Sequence, residues 1–563
     1  MSNSTVRNPI LPGFHPDPSI LRVGEDYYIA NSTFEWYPGI RLHHSRNLRD
    51  WTPIGHALTS PAALPLRGVP NSGGVWAPSL SYHDGRFWLV YAVVYTTGGP
   101  FKDLDIFLVH ASSMTGPWSE PAYLGGGGFD PSLFHDDDGR SWLVNMTWDA
   151  RPGHHPFGGI VLQEVDLLRG CLVGEQRRIL THDELVEGPN LYRRDGWYYL
   201  MLAEGGTGWN HGILMARSRT IDGPYELDPS GSLLTSRDNP GLTLQKAGHG
   251  ELVQTPTGEW YLVHLASRPV LAHGERRSIL GRETCLQQVR WTDDGWLRLH
   301  HGGHWPAEEV PVPPSASPPP TPADAAAHPA PLIAPPTAAE PAALAALPTA
   351  AEPAALAALP AAPVARDEFE SPELSSDWNS LRQPMSGDWV SLEERPGWLR
   401  LRGRQSLWSR FGLSLVAQRL TSTRVVVTAS VECKPSYSGQ QAGIVFWYDT
   451  TTHFFLGVTG SEEGPRVVLA KSDDGRYTED VTAIEVDGPL LLRGTLDGHR
   501  LQFAISTDGE SWQDIGATLD ASVLSDDYGS ALRFTGAFTG LAAVDSYAGR
   551  LPADFAFFEI RAE

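Results

Sequence analysis

The chain has 563 residues, 41% of them hydrophobic, with 19 tryptophans and a formal net charge of -23 at pH 7. A chain this long exceeds one ordinary core and predicts two or more globular domains. The acidic balance excludes a nucleic-acid partner, which needs a basic face. No basic amphipathic stretch or long apolar run points to a membrane, so a neutral substrate is the easiest fit.

The three cysteines, Cys171, Cys285 and Cys433, are far apart and odd in number. They make neither a disulfide framework nor a zinc spacing. The opening residues, MSNSTVRNPILPG, lack a charged region followed by an apolar core, so a cytoplasmic location is expected.

The stretch NPILPGFHPDPSI then sets a single acid, Asp17, between Pro16 and Pro18. Proline fixes its own φ and restricts its predecessor, so this carboxylate has a stiff backbone on both sides. Five segments with a common pattern follow: GEDYYIA, DGRFWLVY, DGRSWLVN, DGWYYLM and TGEWYLV. Each is a glycine turn leading into a strand rich in aromatic and aliphatic residues. Aligned on Tyr28, Trp88, Trp142, Tyr199 and Tyr261, they recur at intervals of 60, 54, 57 and 62 residues. Five units of about four short strands predict a five-bladed β-propeller over residues 1–310.

Counting back 11 or 12 residues from each aromatic reaches Asp17, Trp76 and Ala77, Asp130, Glu187 and His249. These positions are expected to be equivalent, at the start of each innermost strand, and so to converge on the propeller axis. An isolated Asp-Pro is ordinarily a turn or cap. Three clustered acids are costly through repulsion and desolvation, which favours a functional reason for keeping them. Paired carboxylates in unlike environments can split a glycosidic bond, one protonating the leaving oxygen while the other activates water. Nearby aromatics would stack on sugar faces.

Between 311 and 363 the composition turns to Pro and Ala, with TAAEPAALAALP occurring twice in tandem. Such a segment cannot build a core and predicts a semi-rigid spacer. From 364 to 563 alternating strands return, among them WLRLRG, RVVVTASVEC, GIVFWYD and LQFAISTDGESW. They predict a two-sheet β-sandwich, so the fold class is all-β throughout.

The motifs HPDPSI, STFEWYPGIRLHHSRNLRDW, GGVWAPSL, FDPSLFHDDDGR, VEGPNLY, KAGHGELVQT, LGRET, RDEFESPELSSDWNSLR and RFTGAFTGL resemble glycoside hydrolase family 43, in particular its two-domain β-xylosidases. The resemblance implies a propeller followed by a concanavalin-like jelly roll. It also implies an exo-acting inverting β-1,4-xylosidase that takes xylose from the non-reducing ends of xylo-oligosaccharides. Asp17 is then the general base and Glu187 the general acid. Asp130 orients Glu187 and raises its pKa by like charge. In an inverting enzyme base and acid stand about 6.5–9.5 Å apart. Arg282 would contact substrate hydroxyls and the acid side of the site, with a surface ion pair beside Glu283 as the plain alternative and Arg290 as a rival. His249 would sit below the sugar, holding water or a cation. Phe34, Trp76 and Trp148 would wall the pocket. Phe534, or else Phe538, would close it from the second domain.

No cofactor is required by this reading, although some family members place calcium near the residue matching His249, and a homo-oligomer (dimer or tetramer) is expected. The rival activities are α-L-arabinofuranosidase, alone or combined with xylosidase, and a non-catalytic carbohydrate-binding propeller. A retaining fructosidase is disfavoured because an NDPNG-type motif is missing.

Overall fold

A computed structural model describes residues 4–313, 365–484, 488–529 and 531–563 of the chain. The first body is a propeller of five antiparallel blades, four of them four-stranded and the fourth in chain order carrying an extra two-residue strand, Leu234–Thr235. The innermost strands are Ser19–Val23, Gly74–His83, Ser132–His135, Val186–Arg194 and Gln245–Gln254. The five aromatic segments are the second strands: Asp26–Asn31, Arg86–Val94, Ser141–Trp148, Trp197–Glu204 and Trp260–Ser267.

Asp84-Gly85 and Asp195-Gly196 make the two-residue turns between inner and second strands in blades two and four. Both residues of each pair have positive φ, the geometry that matches the twist of a hairpin. The ring is closed by Ser4–Arg7 pairing with Glu309–Val312. Asn8 fastens it further: its side chain bonds both the N–H and the carbonyl of Leu286 and the carbonyl of Ala307. Pro311 and Val312, assigned by composition to the spacer, are the last residues of that closing strand. The rest of the Pro/Ala segment, including its tandem repeat, lies outside the described residues.

The second body is a sandwich of two antiparallel sheets. In spatial order one sheet runs Val390–Ser391, Leu399–Arg402, Pro552–Ala562, Arg424–Cys433, Leu490–Asp497, Arg500–Ser506 and Gln513–Asp520. The other contains Arg476–Ala483, Gly464–Asp473, Thr452–Ser461, Gln440–Asp449, Phe538–Asp545, Ser414–Arg419 and Asn379–Leu381. Its edge strand is Trp36–Tyr37, which belongs to the propeller.

Shared pairing is matched by shared packing. Phe14, Phe34 and Trp36 of the propeller lie in one buried cluster with Leu415, Trp447 and Phe538 of the sandwich. Trp36 stacks on Phe538 with ring centroids 3.8 Å apart. Buried polar groups cross the seam too, Arg419 donating to the Phe14 carbonyl at 2.8 Å and Arg382 to that of Val69 at 2.8 Å. Separating the bodies would strip water-excluding cover from aromatic side chains worth about 1.5–3 kcal/mol each. The sandwich is built into the propeller.

Candidate active site

Register identifies the equivalent axial positions. The aligned aromatics Tyr28, Trp88, Trp142, Tyr199 and Tyr261 pair across their hairpins with Leu21, Ser81, Phe134, Tyr192 and Val253. Four residues earlier in each inner segment stand Asp17, Ala77, Asp130, Gly188 and His249, and all five have φ between 32° and 56°. A left-handed backbone at four non-glycine residues costs of order 1–3 kcal/mol each, strain of the kind concentrated at functional sites.

This corrects the expected register at one acid. Glu187 lies one residue before the axial position, level with Trp76 and Phe129. The bulges at Trp76/Ser79 and Glu187/Asn190 reconcile the offset with continued strand pairing. A one-residue step turns the side chain to the other side of the chain. Asp17, Asp130 and His249 therefore line both the substrate cavity and the narrow axial channel below it, whereas Trp76, Phe129 and Glu187 line the cavity alone.

That cavity, of about 380 Å³, brings together every candidate: Asp17, Phe34, Trp76, Asp130, Trp148, Glu187, His249, Arg282 and Phe534. Its size falls within the usual range for small-molecule sites. Asp17 is held from both oxygens: Oδ2 accepts from the Ser32 hydroxyl at 2.7 Å and Oδ1 from Arg282 at 2.7 Å. The other guanidinium nitrogen of Arg282 donates to the Phe534 carbonyl at 2.8 Å. Arg282 was expected to contact substrate hydroxyls and the acid side; its charge does act on Glu187, and its hydrogen bond goes to Asp17. It is buried, and Glu283 is occupied by Arg268, so the surface-pair alternative fails. Arg290 is exposed on strand Glu283–Trp291, away from the cavity.

Asp130 accepts the Gly188 N–H at 3.0 Å, fixing the peptide that follows Glu187. Among the described residues, no side chain hydrogen-bonds to the Glu187 carboxyl. Burial, and after it the charge of Asp17, pushes Glu187 up to about 7. Burial also drives Asp130 well above the usual carboxylate range, helped by Glu187 and Asp17. Desolvation leads for both acids, and the like charge that raises Glu187 is that of Asp17 rather than the expected Asp130.

His249 stands with Nδ1 3.9 Å from both Asp17 and Asp130, and burial lowers its pKa. Calcium takes six to eight oxygen ligands. Here the Asp17 oxygens are engaged by Arg282 and Ser32, one Asp130 oxygen by Gly188, and the remaining donor is an imidazole. This donor set does not build a calcium cage.

The walls are aromatic. Trp76 meets Phe129 edge-on at 5.5 Å and Phe534 at 5.3 Å; Phe34 lies 6.4 Å from Phe534, and Phe129 lies 6.1 Å from Trp148. Phe538, the other capping candidate, is buried in the seam against Trp36. Phe534 reaches the cavity because two glycines let the backbones meet. A Cβ on Gly281 would come within 2.7 Å of Gly536 Cα, and one on Gly536 within 2.4 Å of the Leu280 carbonyl. Ala537 N–H then donates to the Ile279 carbonyl at 2.9 Å.

Several other cavity residues escaped sequence reasoning, among them Phe129, Lys102 and Lys246. Phe129 could have been found from its place beside Asp130, level with Trp76. Lys102, over the rings of Trp76 at 5.5 Å and Trp148 at 4.9 Å, comes from a loop with no repeat signal. Lys246 is 2% exposed and pairs with Asp526 at 2.8 Å and Asp527 at 2.6 Å from the sandwich, a contact that local sequence does not encode.

Comparison with known proteins agrees with this geometry. Residues 6–297 match the glycosyl hydrolases family 43 model, and 366–561 match the beta xylosidase C-terminal concanavalin A-like domain. The chain is 42% identical to xylosidase/arabinosidase 43B of Humicola insolens, over 99% of this chain and 97% of the relative. It is also 42% identical to a xylan 1,3-beta-xylosidase of a Vibrio species, with 99% of each covered. The crystal structure of xylan beta-1,4-xylosidase from Bacillus halodurans superposes with a TM-score of 0.88 at 46% identity, covering 99% of this chain and all of that one. With family models matching both bodies and relatives above 40% identical along nearly its whole length, the chain belongs to glycosyl hydrolase family 43.

Proposed function

We propose that this glycoside hydrolase is an exo-acting β-xylosidase that removes xylose from the non-reducing ends of xylo-oligosaccharides with inversion. The observation that carries the reading is the unlike treatment of two acids in one closed aromatic pocket. Asp17 is anchored by two donors, and Glu187 is buried and kept protonated to about pH 7.

Each carboxylate oxygen of Asp17 retains lone-pair capacity beyond its one donor. Asp17 takes a proton from water as the water oxygen attacks the anomeric carbon. Glu187 gives its proton to the glycosidic oxygen as the C–O bond on the opposite face breaks. Exchange with solvent then removes the proton from Asp17 and returns one to Glu187. Asp130 acts through the Gly188 N–H to hold the Glu187 peptide. Arg282 ties Asp17 to the cap, because one guanidinium spans the base and the Phe534 carbonyl. No cofactor takes part in these steps.

The pocket is closed at the Phe534 side, which suits a terminal sugar over a mid-chain one. Following the first product from xylobiose by NMR tests activity and stereochemistry together: α-xylose is expected. Early β-xylose would make Asp17 a nucleophile and overturn its role as base. A second activity, on α-L-arabinofuranosides, is favoured by the Humicola relative named for both. Paired nitrophenyl xyloside and arabinofuranoside assays separate the two. The relatives also carry names for both 1,3 and 1,4 linkages, so both xylobiose isomers belong in the assay.

A further inference from the structure

Far from the acids in sequence, three metal-ligating side chains meet across the seam: His273, His499 and Asp520. Their candidate donor atoms all lie within 4.8 Å of one another, with His273 Nε2 3.1 Å from Asp520 Oδ2. The two imidazole centroids are 5.3 Å apart at 69°. For a tetrahedral zinc with bonds of about 2.0–2.1 Å, neighbouring donors stand roughly 3.3 Å apart, so the His273–Asp520 edge is already at bonding scale.

Each ligand is delivered by ordered backbone. His273 and Gly274 form the turn between Val270–Ala272 and Glu275–Arg277 of the propeller, both with positive φ. His499 lies in the turn joining two sandwich strands, and Arg500 pairs with Asp520, which brings the two ligands alongside. Asp520 Oδ1 is taken by the Ser522 N–H at 3.0 Å, which fixes the carboxylate and leaves Oδ2 facing His273. Two imidazoles and one carboxylate suit zinc and its later first-row neighbours; magnesium and calcium prefer all-oxygen sets.

We propose that His273, His499 and Asp520 form a zinc site that pins the propeller hairpin to the sandwich, with solvent completing the coordination. The hairpin continues into Arg277 and Ser278. Arg277 donates to the Asp527 carbonyl, and the Ser278 N–H reaches an Asp527 carboxylate oxygen at 2.9 Å. Asp527 belongs to the segment that leads to Phe534, so the pin sits upstream of the pocket cap.

The test uses the full chain, freed of metal by a chelator and exchanged into clean buffer, then titrated calorimetrically with zinc chloride. One equivalent should bind per chain and raise the melting temperature, with calcium or magnesium chloride giving neither effect. His499→Ala and Asp520→Asn should each weaken binding roughly tenfold or more and abolish the thermal shift. His273→Ala, at an exposed turn, gives a third variant that leaves the sandwich untouched. Circular dichroism and xyloside turnover establish that each variant is folded. No zinc uptake by the parent chain, or equal uptake by the parent and the histidine variants, overturns the proposal.

Discussion

Glu187→Gln offers the sharpest separation of catalysis from stability. In the unfolded chain this carboxyl ionises near 4.5; in the fold it keeps its proton to about 7. Between those values the folded state binds more protons than the unfolded one, so its stability falls as pH rises through the window and levels off above it. The rise from 4.5 to about 7 corresponds to roughly 3 kcal/mol of stability withheld at alkaline pH. Glutamine keeps the shape and has no proton to lose. The variant should therefore match the parent near pH 4.5 and gain on it toward about pH 8, by up to about 3 kcal/mol.

Two-body unfolding is not two-state, so the readout is the difference in apparent melting temperature between variant and parent at the two pH values. Comparing the two proteins cancels Glu35 and Glu251, which burial also raises. Activity supplies the second half of the test. The parent's kcat/KM should fall on an alkaline limb with a midpoint near pH 7, as the general acid ionises. The variant should lose that limb, and lose far more turnover on xylobiose than on a nitrophenyl xyloside, whose leaving group needs little protonation. A variant no more stable than the parent at high pH, with the alkaline limb intact, would refute the assignment of Glu187 as the buried acid.

Two further outcomes probe the seam. Phe534→Ala removes the ring that meets Trp76 at 5.3 Å; KM should rise roughly tenfold, a loss of about 1–2 kcal/mol of stacking, and an unchanged KM would remove Phe534 from the pocket wall. Lys246→Met leaves Asp526 and Asp527 buried without their cation. The melting temperature should fall sharply, in line with about 3–5 kcal/mol for breaking a buried pair, and a melt like the parent's would show the pair to be dispensable.

The propeller was legible because its second strands repeat an aromatic after a turn at intervals set by blade length. What the sequence encoded less openly was register. EGPN aligns with DPS when acids are matched to acids, yet the hairpin pairing places Gly188, not Glu187, opposite Asp17 and Asp130. The acid is exempted from the axis by a strand bulge, a feature that leaves no signature in composition. Arg282 was recognised as a site residue, but its hydrogen bond to Asp17 depends on where blade five meets blade one, which local sequence does not encode. Lys246 and Asp526 are 280 residues apart; neither has a neighbour in sequence that announces the other.

The same seam that hid those partners connects closure of the pocket to the chemistry inside it. A propeller alone brings its carboxylates to an open axial mouth, where water would solvate them and hold their pKa values low. Here Leu532 and Phe534 of the sandwich line the cavity that holds Glu187, and desolvation is the leading cause of its raised pKa. The Phe534 carbonyl also accepts from the arginine that holds Asp17. In the proposed mechanism one segment of the second domain would thus shut out a mid-chain sugar, dry the acid and brace the base. Water admitted at the Phe534 side would relax the acid toward an ordinary carboxylate. On the proposed reading, exo specificity and the general acid's proton depend on the same contact, where Gly281 and Gly536 let the two backbones meet.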